Sequence, residues 1–179
     1  MKDSAKYSDQ DTQHSTASYV ECFQSIIGDF CIGATDMGLR YIKLLKGVQP
    51  ELKPNEHTTS ALKQLTEYFA GERREFNLDL DLSGYSNFSE QVWQKLKSIP
   101  YGKTISYLQL AKEMGDIKCI RAAASANGRN PIPIIIPCHR VIGSDGSLTG
   151  FALGLDIKKI LLTIENPGKY KNKQTSLDF

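Results

Sequence analysis

Ile134-Ile135-Ile136-Pro137-Cys138-His139-Arg140-Val141 is the stretch on which this chain turns. An apolar run of buried type stops at Pro137, and a cysteine and a histidine follow side by side. A strand here would bring the thiol to the edge of the core, where the imidazole or a water beside it can take its proton. The thiolate is the reactive species and a free thiol is mostly protonated at neutral pH, so such an arrangement prepares a sulfur nucleophile. Against it stands the plainer reading that Cys138 is one more small buried residue.

Just upstream, three prolines between Asn130 and Pro137 disfavour helix and force extended geometry. Downstream, Gly143 to Gly154 is a glycine-punctuated loop. Asp156 then caps a last helix with Ile157, Ile160, Leu161 and Ile164 on one face and Glu165 in its final turn, ended by Asn166-Pro167-Gly168. Further upstream, Phe88, Val92, Trp93, Leu96 and Ile99 form a helical stripe behind a cap-like Asn87-x-x-Glu90. Ser106-x-x-Gln109 is a capping-box pattern opening a short helix. After the Gly115-Asp116 turn, a second, alanine-rich helix runs from about Ile117 to Asn127. Two short helices around such a turn outline a helix-turn-helix, and spacing alone equally allows a plain αα-corner.

Toward the N-terminus, Tyr19 to Leu45 reads as a three-stranded meander with turns at Ile27-Gly28-Asp29 and Asp36-Met37-Gly38. A helix carries Ala61, Leu62, Leu65, Tyr68 and Phe69 and stops at Gly71. Residues 76–82 alternate strictly, which predicts a strand with Asn77, Asp79 and Asp81 facing water. Ser83-Gly84-Tyr85-Ser86 marks a boundary between two units, and residues 1–17 read as disordered.

With 40% hydrophobic and 23% charged residues the composition is that of a globular protein. No apolar run approaches the roughly 20 residues of a membrane span. The first residues lack a secretory h-region, so the expectation is a cytoplasmic, non-secreted protein. Cys22, Cys31, Cys119 and Cys138 are irregularly spaced and do not read as a disulfide framework, which points to a reducing compartment. With His14 and His57, the first two are the zinc ligands at hand in the N-terminal half. No pair has finger-like spacing, so no metal is expected. The net charge of +2 is uneven. Residues 1–85 hold 9 basic and 13 acidic side chains (−4), residues 86–168 hold 10 and 6 (+4), and residues 169–179 hold 3 and 1 (+2). A polyanion would meet the C-terminal half.

Leu108 to Ala111, Arg121-Ala122, Asn127-Gly128-Arg129-Asn130-Pro131, Pro137-Cys138-His139-Arg140-Val141-Ile142-Gly143, Gly150 to Leu155 and Leu161-Leu162-x-x-Glu165 together resemble the O6-alkylguanine-DNA alkyltransferases. The match is close over residues 86–168 and loose before them. The resemblance implies an α+β fold: a small RNase H-like N-terminal domain (18–85) with an antiparallel three-stranded sheet and a helix, a mostly helical winged-helix domain (86–168), and a flexible tail (169–179). It implies a monomer without cofactor that docks in the DNA minor groove, rotates an O6-alkylated guanine out of duplex DNA and moves the alkyl group irreversibly to cysteine. Carried over residue by residue, Cys138 is the nucleophile, His139 takes its proton through a water, and Glu165 orients the imidazole. Tyr107 donates to the departing guanine, Asn130 braces the cysteine loop, and Arg121 fills the gap in the stack, with Ala122 beside it on the DNA face. Arg129, Ser144, Lys103 and Lys118 are candidate phosphate contacts, with a plain solvated side chain as the other reading of each. Phe151, Ala152 and Leu153 face the alkyl group. A positioned general acid of the Tyr107 kind typically gives ~10²–10⁴-fold, and extrusion of a base costs roughly a few kcal/mol.

Phe151-Ala152-Leu153-Gly154-Leu155 departs from the family's Tyr-x-Gly-Gly-Leu, and the bulk of Leu153 predicts a pocket for methyl rather than benzyl groups. Ala124-Ser125 replace a Gly-Gly, and Ile160 replaces an aromatic. The tail Gln174-Thr175-Ser176-Leu177-Asp178-Phe179 resembles the short peptides that dock on the bacterial sliding clamp, with a plain polar end as the other reading. The alternative function is a lesion-binding relative without transfer activity. Such proteins lack the cysteine.

Overall fold

In a computed structural model, residues 17–171 are described. The expected disordered N-terminus, apart from its last residue, and the clamp-like Gln174–Phe179 lie outside them. Strands β1 (Tyr19–Ser25), β2 (Gly28–Thr35) and β3 (Gly38–Leu44) form the expected antiparallel meander in the order β1-β2-β3. Phe30, Ile32 and Ala34 on the central strand are buried beneath helix α1 (Glu56–Phe69). That helix contributes Ala61, Leu65 and Tyr68 at helical spacing. Asn55 caps it through a reciprocal bond with Thr58.

Two expectations fail in this half. Cys22 and Cys31 stand directly opposite each other in the β1–β2 register and form a disulfide. Their irregular spacing in the chain conceals that the hairpin makes them neighbours, because pairing across strands depends on the turn between them. Residues 76–82 form no regular strand, only a bridge from Leu80 to Leu39. Their polar side is not all wet, for Asp81 is buried. It accepts hydrogen bonds from Arg40 Nη1 at 3.2 Å, Thr35 Oγ1 at 2.7 Å and Ser83 Oγ at 2.6 Å. A buried carboxylate needs such partners, and here they tie the connector to the sheet.

Helix α2 (Asn87–Lys97) is capped by Ser86, one residue before the expected Asn87. It buries Val92, Trp93 and Leu96, and Trp93 Nε1 donates to Ala126 O at 2.9 Å. A two-residue strand, β4 (Ile105–Ser106), leads into α3 (Tyr107–Glu113). Ser106 caps α3 through Gln109 N. The Gln109 side chain reaches forward to Glu113, away from the cap. A 3₁₀ turn (Ile117–Cys119) then opens α4 (Ile120–Gly128).

The isoleucine run is not a strand. Ile136 N donates back to Ile132 O at 2.9 Å, and Ile134 sits at φ 77°. A β-branched residue in that region is strained and is held there by complete burial. Cys138–Arg140 form a 3₁₀ turn that feeds β5 (Val141–Ile142), parallel to β4.

Helix α5 (Leu155–Glu165) begins after Gly154, so Asp156 lies inside its first turn instead of capping it. Its buried face is Lys158, Leu161, Leu162 and Glu165, rotated from the stripe expected. The chain also continues in order past Asn166. A short helix α6 (Pro167–Tyr170) buries Tyr170 against Ile142 and Leu162, so residues 169 and 170, expected in a flexible tail, are helical instead. One hydrophobic core runs from the meander through α1 and α2 to Leu161. No helix of the described residues is long and apolar enough to cross a membrane.

Candidate active site

Cys138 is the first residue of the 3₁₀ turn and is buried. Asn130, just past the C-terminus of α4, holds it from one side. Its Nδ2 donates to Cys138 Sγ at 3.0 Å and to Ile136 O at 2.7 Å, and its Oδ1 accepts from Ile132 N at 3.0 Å. One carboxamide thus fixes both the strained loop and the sulfur.

His139 is fully buried, with Nε2 2.7 Å from Glu165 Oε1. Its Nδ1 is buried without a hydrogen-bond partner among the described residues. A bond to Glu165 on one nitrogen fixes the tautomer and orientation of the ring, leaving the other nitrogen to take a proton. Burial pushes the Cys138 thiol up to about 11, against the opposing effects of the Asn130 bond and the Lys158 charge. Burial likewise holds the His139 imidazole below 6.5, although Glu165 pulls the other way. The resting pair is therefore a thiol and a neutral imidazole, so proton transfer belongs to the reaction.

Glu165 closes α5. Burial would raise its carboxyl, but the hydrogen bonds and charges of His139 and Arg140 outweigh that and hold it down to about 2. Arg140 donates from Nε to Oε2 and from Nη2 to Oε1, both at 2.9 Å, and from Nη1 to Ile99 O at 2.6 Å. Gly102 N donates to Oε2 at 3.0 Å. Gly102 has φ 72°, and a Cβ there would lie 2.9 Å from Glu165 O, so the turn at Pro100-Tyr101-Gly102 requires glycine.

Tyr107 opens α3 with its hydroxyl 3.3 Å from Thr149 O and 3.1 Å from Gly150 O. Burial, then the Cys138 charge, raises its pKa above 10, which keeps the proton on the phenol. Phe151 stands edge-on to His139 at 6.5 Å, and Leu153 packs against the core. Ala152, Arg121, Ala122, Arg129 and Ser144 are exposed, as are Lys103 and Lys118. Arg129 donates to Ser125 one turn back on α4. Cys138, His139, Glu165, Asn130, Tyr107 and Phe151 are thus gathered, Leu153 packs against the core, and the rest lie on the surface of the helical unit.

Three contributors were missed from the sequence. Arg140 was quoted in the motif without a role. Lys158 is fully buried, with Nζ donating to Val141 O at 2.6 Å and Thr149 O at 2.7 Å, and burial brings it down to about 8. A lysine three, four and seven residues before Leu161, Leu162 and Glu165 was the available signal. Asn127 is buried beside Tyr107, with Oδ1 unpartnered among the described residues. No cluster of three metal-ligating side chains occurs among the described residues.

Fold and site define a class: a two-part α+β protein whose helical half holds a buried cysteine beside a His–Glu pair. Residues 18–82 match the family model "6-O-methylguanine DNA methyltransferase, ribonuclease-like domain", and residues 87–167 match that family's "DNA binding domain". A methylated-DNA–protein-cysteine methyltransferase of Methanosarcina acetivorans is 44% identical over 153 residues, 82% of this chain and 97% of that protein. The crystal structure of Mycobacterium tuberculosis OGT in complex with DNA superposes with a TM-score of 0.75 at 39% identity, covering 83% of this chain and 93% of that one. The Pyrococcus kodakaraensis O6-methylguanine-DNA methyltransferase gives 0.62 at 27% identity, with 83% and 98% covered. The chain belongs to the 6-O-methylguanine DNA methyltransferase family. It binds DNA and repairs it by moving an alkyl group from the damaged base to one of its own cysteines.

Proposed function

We propose that Cys138 is the alkyl acceptor and that His139, Glu165, Tyr107 and Asn130 serve it. The observation that carries this is the buried His139–Glu165 bond at 2.7 Å beside a thiol held by Asn130 at 3.0 Å. His139 Nδ1 takes the thiol proton through a water as Sγ forms its bond to the alkyl carbon. The carbon–O6 bond breaks with its electron pair on the guanine. Tyr107 supplies the leaving base with a proton or hydrogen bond and recovers a proton from solvent. The products are a thioether and an unmodified guanine, so each molecule reacts once. Imidazolium formed in this buried site is stabilised by the Glu165 charge already in place.

The exposed small-residue face of α4, led by Arg121 and Ala122, fits a minor-groove docking surface that reads no sequence, with Arg121 filling the space of the everted base. Exposed Arg129 and Ser144 would meet phosphates in this reading. In this reading the protein acts as a cytoplasmic monomer, and Gln174–Phe179 is a candidate clamp-docking peptide.

The test is mass spectrometry of the Cys138 peptide after incubation with duplex DNA containing O6-methylguanine. The peptide gains one methylene unit, and Cys138→Ser does not. Modification elsewhere, or none with freshly reduced protein, rejects the assignment.

A further inference from the structure

Tyr68 belongs to the N-terminal unit, in the last turn of α1, yet its hydroxyl donates to Glu165 Oε1 at 2.9 Å. The two residues are 97 positions apart in sequence. Tyr68 is fully buried, and its ring is wedged against Phe69, Phe76 and Tyr101. We propose that Tyr68 is a positioning residue of the proton relay, so that the N-terminal unit completes a site otherwise built from the C-terminal half. This rests on the reading of Cys138, His139 and Glu165 given above.

The oxygen it reaches is the one that faces His139. Oε1 accepts from His139 Nε2, Arg140 Nη2 and Tyr68 Oη, and Oε2 from Arg140 Nε and Gly102 N. The charged and titratable groups facing this carboxylate are His139 and Arg140 from the cysteine turn, Tyr68 from α1 and Tyr101 from the turn after α2. Lys158, from α5 itself, acts on His139. Only Tyr68 among the donors comes from the N-terminal unit. Its hydrogen bond does two things. It restrains rotation of the carboxylate, and it draws electron density from the oxygen that would otherwise be given wholly to the imidazole. A carboxylate relieved of one strong donor is a better acceptor for imidazolium. Loss of the bond therefore makes His139 easier to protonate in the resting state and its alignment looser.

The test compares full-length wild type, Tyr68→Phe and Leu65→Ala. Leu65→Ala weakens packing of the same helix without touching Glu165. Two profiles are recorded against pH: single-turnover methyl transfer from duplex DNA, and alkylation of the Cys138 thiol by iodoacetamide, which needs no DNA. In Tyr68→Phe the acid limb of both moves to higher pH, and transfer at neutral pH falls roughly tenfold, the scale of one hydrogen bond to a charged group. In Leu65→Ala thermal stability falls and the limb stays where it is. Superimposable Tyr68→Phe and wild-type profiles overturn the proposal, as does a Leu65→Ala limb shifted like that of Tyr68→Phe. A His139→Gln variant that keeps the wild-type acid limb shows instead that the relay reading itself is wrong, and the role of Tyr68 falls with it.

Discussion

Glu165 accepts five hydrogen bonds from four residues, and this explains how a carboxylate can be buried beside a neutral imidazole. Desolvating a charge costs several kcal/mol unless it is paired and bonded, and Arg140 supplies a planar fork suited to the purpose. Arg140→Ala should therefore lower the unfolding free energy by about 3–5 kcal/mol, because a buried carboxylate is left without its cation. Urea denaturation of the two proteins at pH 7 measures it, and a change below about 1 kcal/mol contradicts the account. That Cys138, His139 and Glu165 are site candidates is legible in the sequence, because a Pro-Cys-His-Arg-Val run and a helix-ending glutamate are local signals, and the structure brings the three together. The roles of Arg140, Gly102 and Tyr68 were not legible, since each depends on where a distant backbone places one carboxylate oxygen.

At the scale of elements, α5 shows how a correct helix can be read with its buried face slightly rotated. Its apolar residues suggest a stripe through Ile157, Ile160, Leu161 and Ile164, whereas the buried line is Lys158, Leu161, Leu162 and Glu165, with Ile157 and Ile160 only partly buried against the core. Lys158 can be buried because carbonyls of β5 and the following loop, Val141 O and Thr149 O, accept its hydrogen bonds. Hydropathy alone has no means of showing that. The loop before α5 carries the specificity prediction. Phe151 lies edge-on to His139, and Leu153, two residues on in the same loop, packs against the core. If this loop faces the alkyl group, a leucine here would take space that a benzyl adduct needs. Benzylguanine transfer is thus expected to be much slower than methyl transfer, and Leu153→Gly to narrow the gap, both read from single-turnover rates. Equal rates for the two adducts in the wild type would remove the pocket argument.

For the whole molecule, the continuous core and the Tyr68–Glu165 bond join the two units, so acid should act on the site and the fold together. The sign follows from groups whose folded pKa is depressed. His139 is held below 6.5 by burial. Glu165 is brought from 4.5 to about 2, burial being outweighed by His139 and Arg140. Asp81 is lowered from 3.8, burial being outweighed by Ser83, Thr35 and Arg40. In each case the unfolded chain takes up its proton first. The stability they contribute is complete above pH 6.5. It begins to fall below that, drops faster below 4.5, and the Glu165 share, on the order of 3 kcal/mol, is lost as pH approaches 2. Chemical unfolding midpoints measured from pH 8 to pH 3 should decline in that order. A flat profile down to pH 4 would contradict it.

By itself the sequence determined most of the elements and the side chains a chemistry could use: a three-stranded meander, amphipathic helices, and a sulfur beside an imidazole. These are properties of neighbouring residues, set by strand and helix periodicity and by the reactivity of side chains. Only the tertiary structure decided that Cys22 faces Cys31, that Asp81 is buried on Arg40, and that Tyr68 meets Glu165 across 97 residues. Such contacts arise from packing between elements, where burial forces each polar group to find a partner that no local pattern names.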